Sequence, residues 1–95
     1  MSRRKFAEAE IEAALKLVPD WEQKDAAIVR VFQFTDFKEA MVFVNQVAEL
    51  AEAADHHPDI TINWNRVTLL LTTHDRGGLT QLDFDLAGKI DGIEN

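Results

Sequence analysis

Between Ala26 and Ala54 the spacing of apolar residues changes period, and that change limits the folds open to the chain. In "AAIVRVFQF" (26–34), Ile28, Arg30, Phe32 and Phe34 alternate with Val29, Val31 and Gln33, the two-residue period of a strand that is apolar on much of both faces. At "TDFKEAMVF" the period lengthens. Phe37, Ala40, Met41, Val44, Val47, Ala48 and Ala51 recur every three or four residues, as on one face of a helix. Asp36 and Glu39 have the D-x-x-E spacing of a capping box, in which each side chain takes up an orphan amide of the first turn. The helix should end near Ala54, because the residue before Pro58 is driven out of the α region.

The flanking segments extend this order. Residues 3–18 predict an amphipathic helix with Ala7, Ile11, Ala14, Leu15 and Val18 inward, ended by Pro19-Asp20. Trp21–Gln23 is read as a short strand turning at Lys24-Asp25 into the longer one. Ile60, Ile62 and Trp64 alternate. A connection over Asn63–Arg66, without glycine, leads to "RVTLLLTTH", where Val67, Leu69 and Leu71 share a face. Gly77-Gly78 breaks that strand. Thr80 and Asp83 are placed to cap a third helix carrying Leu82, Leu86, Ala87 and Ile90. The expected fold class is α+β in the order α-β-β-α-β-β-α, a four-stranded antiparallel sheet with three helices on one face. The other face would be solvated or covered by a partner subunit; leucines and a tryptophan on both strand faces favour a partner.

The 95 residues fit one domain, 1–95, with no linker or low-complexity tract. The absence of cysteine excludes disulfides, thiolate metal sites and a cysteine nucleophile. Ten basic residues against seventeen acidic ones give a net charge of −7, which disfavours nonspecific nucleic-acid binding. Arg3-Arg4-Lys5 is followed by Glu8, Glu10 and Glu12 instead of an apolar stretch, so an export signal is not expected. No apolar run approaches the roughly 18 residues of a membrane span. A cytoplasmic domain is expected, with no nucleic acid and no membrane as partners.

The chemistry-bearing residues gather around "EAADHHPDITINW" (52–64), which holds two of the three histidines. Glu52 and His56 lie four apart at the end of the second helix, neighbours if the helix reaches that far, and a carboxylate there would orient the ring and favour its charged form. The side chain of His57 would point elsewhere. His74 would end the long strand, and packing of that strand end near the helix end would put three imidazoles around one cleft, with Asp55, Asp75 and Asp83 at its edge. Spacing alone leaves three readings open: a dipole-complementing helix end with a surface histidine, a zinc or iron site, and acid/base catalysis without metal. Adjacent histidines rarely converge on one ion, and neither H-x-x-x-H nor H-E-x-x-H occurs.

Glu52, His56-His57-Pro58, Trp64, His74 and Asp83 together resemble the motif of the pterin-4a-carbinolamine dehydratase family: an acidic residue, three spacers, His-His-Pro, an aromatic, nine spacers, a His, then an Asp. "LTTH", "GLT", "DFDLAGKID", Trp21 and "FQFTDFKEAMVFVNQVAELAE" agree as well, so the likeness covers roughly residues 20–92. The resemblance implies the fold already expected, assembled as a homodimer or homotetramer. It implies a hydro-lyase that dehydrates a 4a-hydroxytetrahydropterin to quinonoid dihydropterin, in tetrahydrobiopterin recycling, with a pterin substrate and no metal or other cofactor. His56 and His74 would transfer protons, His57 would hold the pterin or share that work, and Glu52 would orient His56. Asp55, Thr72, Thr73 and Asp75 match substrate-contacting positions, and Pro58 shapes the cleft wall. Trp64 and Trp21 are as readily core or interface residues, and Asp83 as readily a helix cap. Two other functions remain open: a pterin-binding or protein-interaction module of dimerisation or coactivator type, and action on a different pterin, as in molybdenum-cofactor metabolism.

Overall fold

The computed structural model describes residues 4–94. Helix α1 (Glu8–Leu15) precedes strands β1 (Glu22–Lys24) and β2 (Ala27–Gln33). Helix α2 (Phe37–Ala54), strands β3 (Asp59–Asn63) and β4 (Arg66–Leu71), a short 3-10 turn (His74–Arg76) and helix α3 (Gln81–Glu94) follow. The order is the α-β-β-α-β-β-α expected. The sheet is antiparallel throughout, in the order β1-β2-β4-β3, with Ile28 opposite Leu71 and Phe32 opposite Val67.

That register gathers Ile28, Phe32, Val67, Leu69 and Leu71 on one face, all buried, beneath Phe43 and Val47 of α2 and Leu86, Ala87 and Ile90 of α3. Ile11 and Val18 join the same cluster. Aromatic contacts tie the layers, with the Phe43 ring 4.6 Å from Phe32 and 5.0 Å from Phe34. Arg30 also points inward. Its guanidinium lies 4.2 Å over the Phe32 ring and pairs at 2.6 Å with Asp91, which accepts a second bond from Trp21 Nε1 at 2.8 Å. The partly buried charge is therefore paired, and β2 is fastened to the end of α3. On the opposite face Val31 stays 53 % exposed and Val29, Thr68 and Leu70 are half-buried.

Three expectations need correction. The first helix begins at Glu8, later than residue 3 (Arg3 lies outside the described residues), because the preceding segment is taken up elsewhere. Phe6 N–H donates to the Leu79 carbonyl at 2.7 Å and its ring stacks on Phe84 at 5.7 Å. Glu10 then anchors the helix start, accepting from Arg4 and, at 2.8 Å, from Ala7 N–H, while alanine cannot return the other half of a capping box. The Arg4 hydrogen bond, with help from Ala7 N–H, holds the Glu10 carboxyl down to about 2. Second, the inward stripe of α2 is rotated. Phe43 is buried, whereas Phe37 is 49 % exposed and Ala48 faces solvent, because Ala40, Phe43, Val47 and Ala51 are the residues over the sheet. Third, Trp64, expected to continue the alternation of Ile60 and Ile62, lies instead in the two-residue turn of the expected Asn63–Arg66 connection, at φ 51°, a left-handed conformation unfavourable to a bulky side chain.

Candidate active site

The histidine cluster is built by the end of α2. Asp55 adopts the left-handed conformation (φ 52°, ψ 43°), which a short polar residue tolerates, and its N–H reaches the Ala51 and Glu52 carbonyls. His56 N–H also returns to the Ala51 carbonyl, at 3.1 Å. This reversal ends the helix one residue before the first histidine and separates the two rings. His56 turns inward, its side chain only 10 % exposed, and its Nε2 lies 2.6 Å from Asp83 Oδ1. His57 turns outward, with Nε2 2.6 Å from Glu52 Oε2 in a largely exposed pair. The expected partnership of Glu52 with His56 is thus corrected. The left-handed residue breaks the four-residue helical spacing, so Glu52 meets His57 and a residue of α3 serves His56.

Asp83 is fully buried. Its Oδ2 accepts from Thr73 Oγ1 at 2.8 Å and from Thr80 N–H at 2.9 Å, leaving Oδ1 for the imidazole. The contact with Thr80 is the cap expected of a T-x-x-D sequence. One carboxylate therefore starts α3 and backs His56. An ionised Asp83 can only accept, an arrangement that would put the proton of this contact on His56 Nε2 and leave Nδ1 as the other ring nitrogen.

His74 opens the 3-10 turn beyond the strand instead of ending the strand. An antiparallel bridge between Thr73 and Gly78, and the left-handed Gly77 (φ 69°), close its loop. The loop delivers His74 to the same cleft as the other two imidazoles. Asp55, His56, His57, Thr72, Thr73, His74 and Asp75 line a hollow of about 290 Å³. Thr72 and His74 also border a more apolar hollow of about 500 Å³ on the open sheet face, walled by Ala27, Val29 and Leu70. Among the described residues no group of three His, Cys, Asp or Glu is arranged to hold a metal ion.

A family model described as pterin 4 alpha carbinolamine dehydratase matches residues 4–93. The chain belongs to that family. Two bacterial proteins with the name "Putative pterin-4-alpha-carbinolamine dehydratase" are similar throughout. The one from Picosynechococcus sp. is 56 % identical over 89 residues, 94 % of this chain and 97 % of that protein. The one from Thermomicrobium roseum is 57 % identical over 83 residues, 87 % and 89 % of the two chains. A crystal structure from Brucella melitensis described as a transcriptional coactivator/pterin dehydratase matches with a TM-score of 0.92 at 38 % identity, covering 97 % of this chain and all of that one. A pterin dehydratase-like protein described as a RuBisCO assembly factor in the alpha-carboxysome matches at 0.64 with 20 % identity over 77 % of this chain, a likeness of fold alone.

Within the family frame, the residues singled out from the sequence separate into groups. His56, His57, His74, Asp55, Asp75, Thr72 and Thr73 meet at the cleft, with Glu52 behind His57 and Asp83 beneath His56. Pro58 is half-buried immediately beyond the histidine pair. Thr72 Oγ1 donates to the Ala26 carbonyl, and Thr73 is buried with its hydroxyl engaged by Asp83 and Thr80. The two tryptophans are not brought to the cleft. Trp21 lies in the core, and Trp64, 65 % exposed, occupies the turn at the far end of the β3–β4 hairpin from His56 and His74. Thr80 was legible only as a cap. Ala27, Val29 and Leu70 carried no signal beyond strand propensity, since nothing in a β-branched run says that a hollow will form over it.

Proposed function

We propose that the protein is a cytoplasmic hydro-lyase that dehydrates a 4a-hydroxytetrahydropterin at the His56–His57–His74 cleft by histidine acid/base catalysis. The observation that carries this reading is the convergence of three imidazoles on one hollow of about 290 Å³, one of them backed by a buried carboxylate. The reaction breaks the C4a–O bond and makes the C4a=N5 bond. The leaving hydroxyl takes up a proton and departs as water, and N5 gives one up, so the products are quinonoid dihydropterin and water with no net change in protons. One imidazolium and one imidazole on two edges of the ring serve both transfers, each worth roughly 10²–10⁴-fold.

His56 and His74 are assigned these transfers. His56 acts through Nδ1, because Nε2 is committed to Asp83. His74, exposed on a short turn that lines the same cleft, serves the second edge of the ring. His57, steadied by Glu52, holds the substrate. Asp55 and Asp75 line the cleft, where carboxylates suit the amide and amine donors of a pterin's pyrimidine ring. Thr72 and Thr73 act through the walls, since their hydroxyls are already bonded within the protein. The test follows ultraviolet absorbance while a freshly generated 4a-carbinolamine is added with and without protein, across substrates differing at C6. Acceleration with at least one substrate supports the reading. Blank rates throughout overturn it, and the preferred C6 group identifies the pterin.

The protein is further proposed to assemble as a homodimer or homotetramer. Val31 on the open sheet face and Val42 on the outer face of α2 are each more than half exposed, apolar surface that a second copy would cover. Sedimentation velocity tests this, and a stable monomer at micromolar concentration contradicts it.

A further inference from the structure

We propose that Thr73 and Thr80 are positioning residues for His56: their hydroxyls form a one-way hydrogen-bond chain that holds Asp83 with one oxygen turned to the imidazole, and so fix which ring nitrogen is free to react. The inference rests on the dehydratase reading of the cleft and deepens it.

Direction in the chain follows from donor and acceptor counts. A hydroxyl has one proton to give. Leu82 N–H can only donate, and it meets Thr80 Oγ1 at 3.2 Å. Thr73 Oγ1 gives its proton to Asp83 Oδ2 at 2.8 Å. The 2.8 Å contact between the two hydroxyls must therefore run from Thr80 to Thr73. Thr80 N–H adds a second donor to the same Oδ2, at 2.9 Å. Both of these donors fall on one oxygen, which leaves Oδ1 directed at His56 Nε2. Thr73, Thr80 and Asp83 are all buried, so water does not compete for these bonds. Among the described residues no buried side-chain polar atom lacks a partner.

Thr73 has a second office. Its side chain holds the carboxylate beneath His56, while its main chain leads directly into His74 and is closed by N–H to the Gly78 carbonyl at 3.0 Å. One residue thus sets the register between the two histidines assigned to proton transfer. Family likeness suggested Thr73 as a substrate contact, but its burial and its committed hydroxyl make it a brace for the carboxylate.

Long-range proton–nitrogen NMR of the imidazoles, with the pH profile of dehydration, tests this on wild type, Thr73→Val, Thr73→Ser and Thr80→Val. Wild-type His56 should be protonated at Nε2 and carry a lone pair on Nδ1 in its neutral form. Thr73→Val and Thr80→Val should populate both tautomers, shift the pH profile and lower kcat about tenfold with little change in KM, the scale of one lost buried hydrogen bond. Thr73→Ser should restore wild-type behaviour. A wild-type spectrum showing the Nδ1-protonated tautomer overturns the proposal, even if a valine variant fails to fold. So do valine variants with the wild-type tautomer and pH profile. Blank dehydration rates in wild type defeat the dehydratase reading instead, and the NMR readout still decides the hydrogen-bond chain.

Discussion

Replacing Asp83 by asparagine preserves the shape of the buried group and changes which sides of it can accept. Thr80 N–H, 2.9 Å away, can only donate, so the amide oxygen must face it. The amide NH2 then faces His56 Nε2, now 2.6 Å from Asp83, and a donor there forces that nitrogen to accept. The neutral ring must move its proton to Nδ1, the nitrogen proposed to exchange a proton with substrate. Two magnitudes follow. Stability should fall by about 1.5–3 kcal/mol, the worth of a hydrogen bond to a charged group, because the cap at Thr80 survives. The dehydration rate should fall much further, by roughly 10²–10⁴-fold, as His56 loses its acid/base role. Urea denaturation gives the first quantity and stopped-flow absorbance the second. A loss of stability in Asp83→Asn with a rate kept within about threefold of wild type would show that no acid/base contribution of normal size depends on the tautomer.

Phe43→Ala should cost about 3–5 kcal/mol in urea unfolding and Phe37→Ala less than about 0.5, since Phe43 is buried and Phe37 lies half in solvent. Trp64→Gly should raise the unfolding midpoint by removing about 1–2 kcal/mol of left-handed strain, partly offset by glycine's greater freedom when unfolded. A lower midpoint together with slower sedimentation would instead place Trp64 in a subunit contact. Glu10, held down to about 2 by its Arg4 and Ala7 hydrogen bonds, has a lowered folded-state value. Its contribution is fully present above about 4.5 and lost as pH falls towards 2, so melting temperatures of wild type and Glu10→Gln should converge at low pH. A constant difference from pH 2 to 7 would contradict this.

Element types and order were legible because the local signals agreed. The strand period around Ile28 and Phe32, the helical period after Asp36 and the Asp36–Glu39 cap all indicated the same architecture. What escaped was set by tertiary contact. Phe43 belongs to the buried stripe because Phe32 and Phe34 offer rings to pack against, and α1 starts late because Phe6 pairs with Leu79. At the cleft, the residue set could be named from the motif, but the pairing could not. Glu52 and His56 have ideal helical spacing, and one left-handed residue at Asp55 overrides it. Asp83 resembled a cap and is one. Its second partner, 27 residues earlier in the chain, becomes visible only once α3 packs beside the end of α2.

Proton transfer by His56 and His74 is read out by stopped-flow dehydration of one 4a-carbinolamine with wild type, His56→Ala, His74→Ala and the double variant, at matched folding by circular dichroism. The predicted result is a loss of roughly 10²–10⁴-fold for each single variant, with the double variant at the uncatalysed rate. Wild-type rates in both single variants would rule out proton transfer by these two imidazoles.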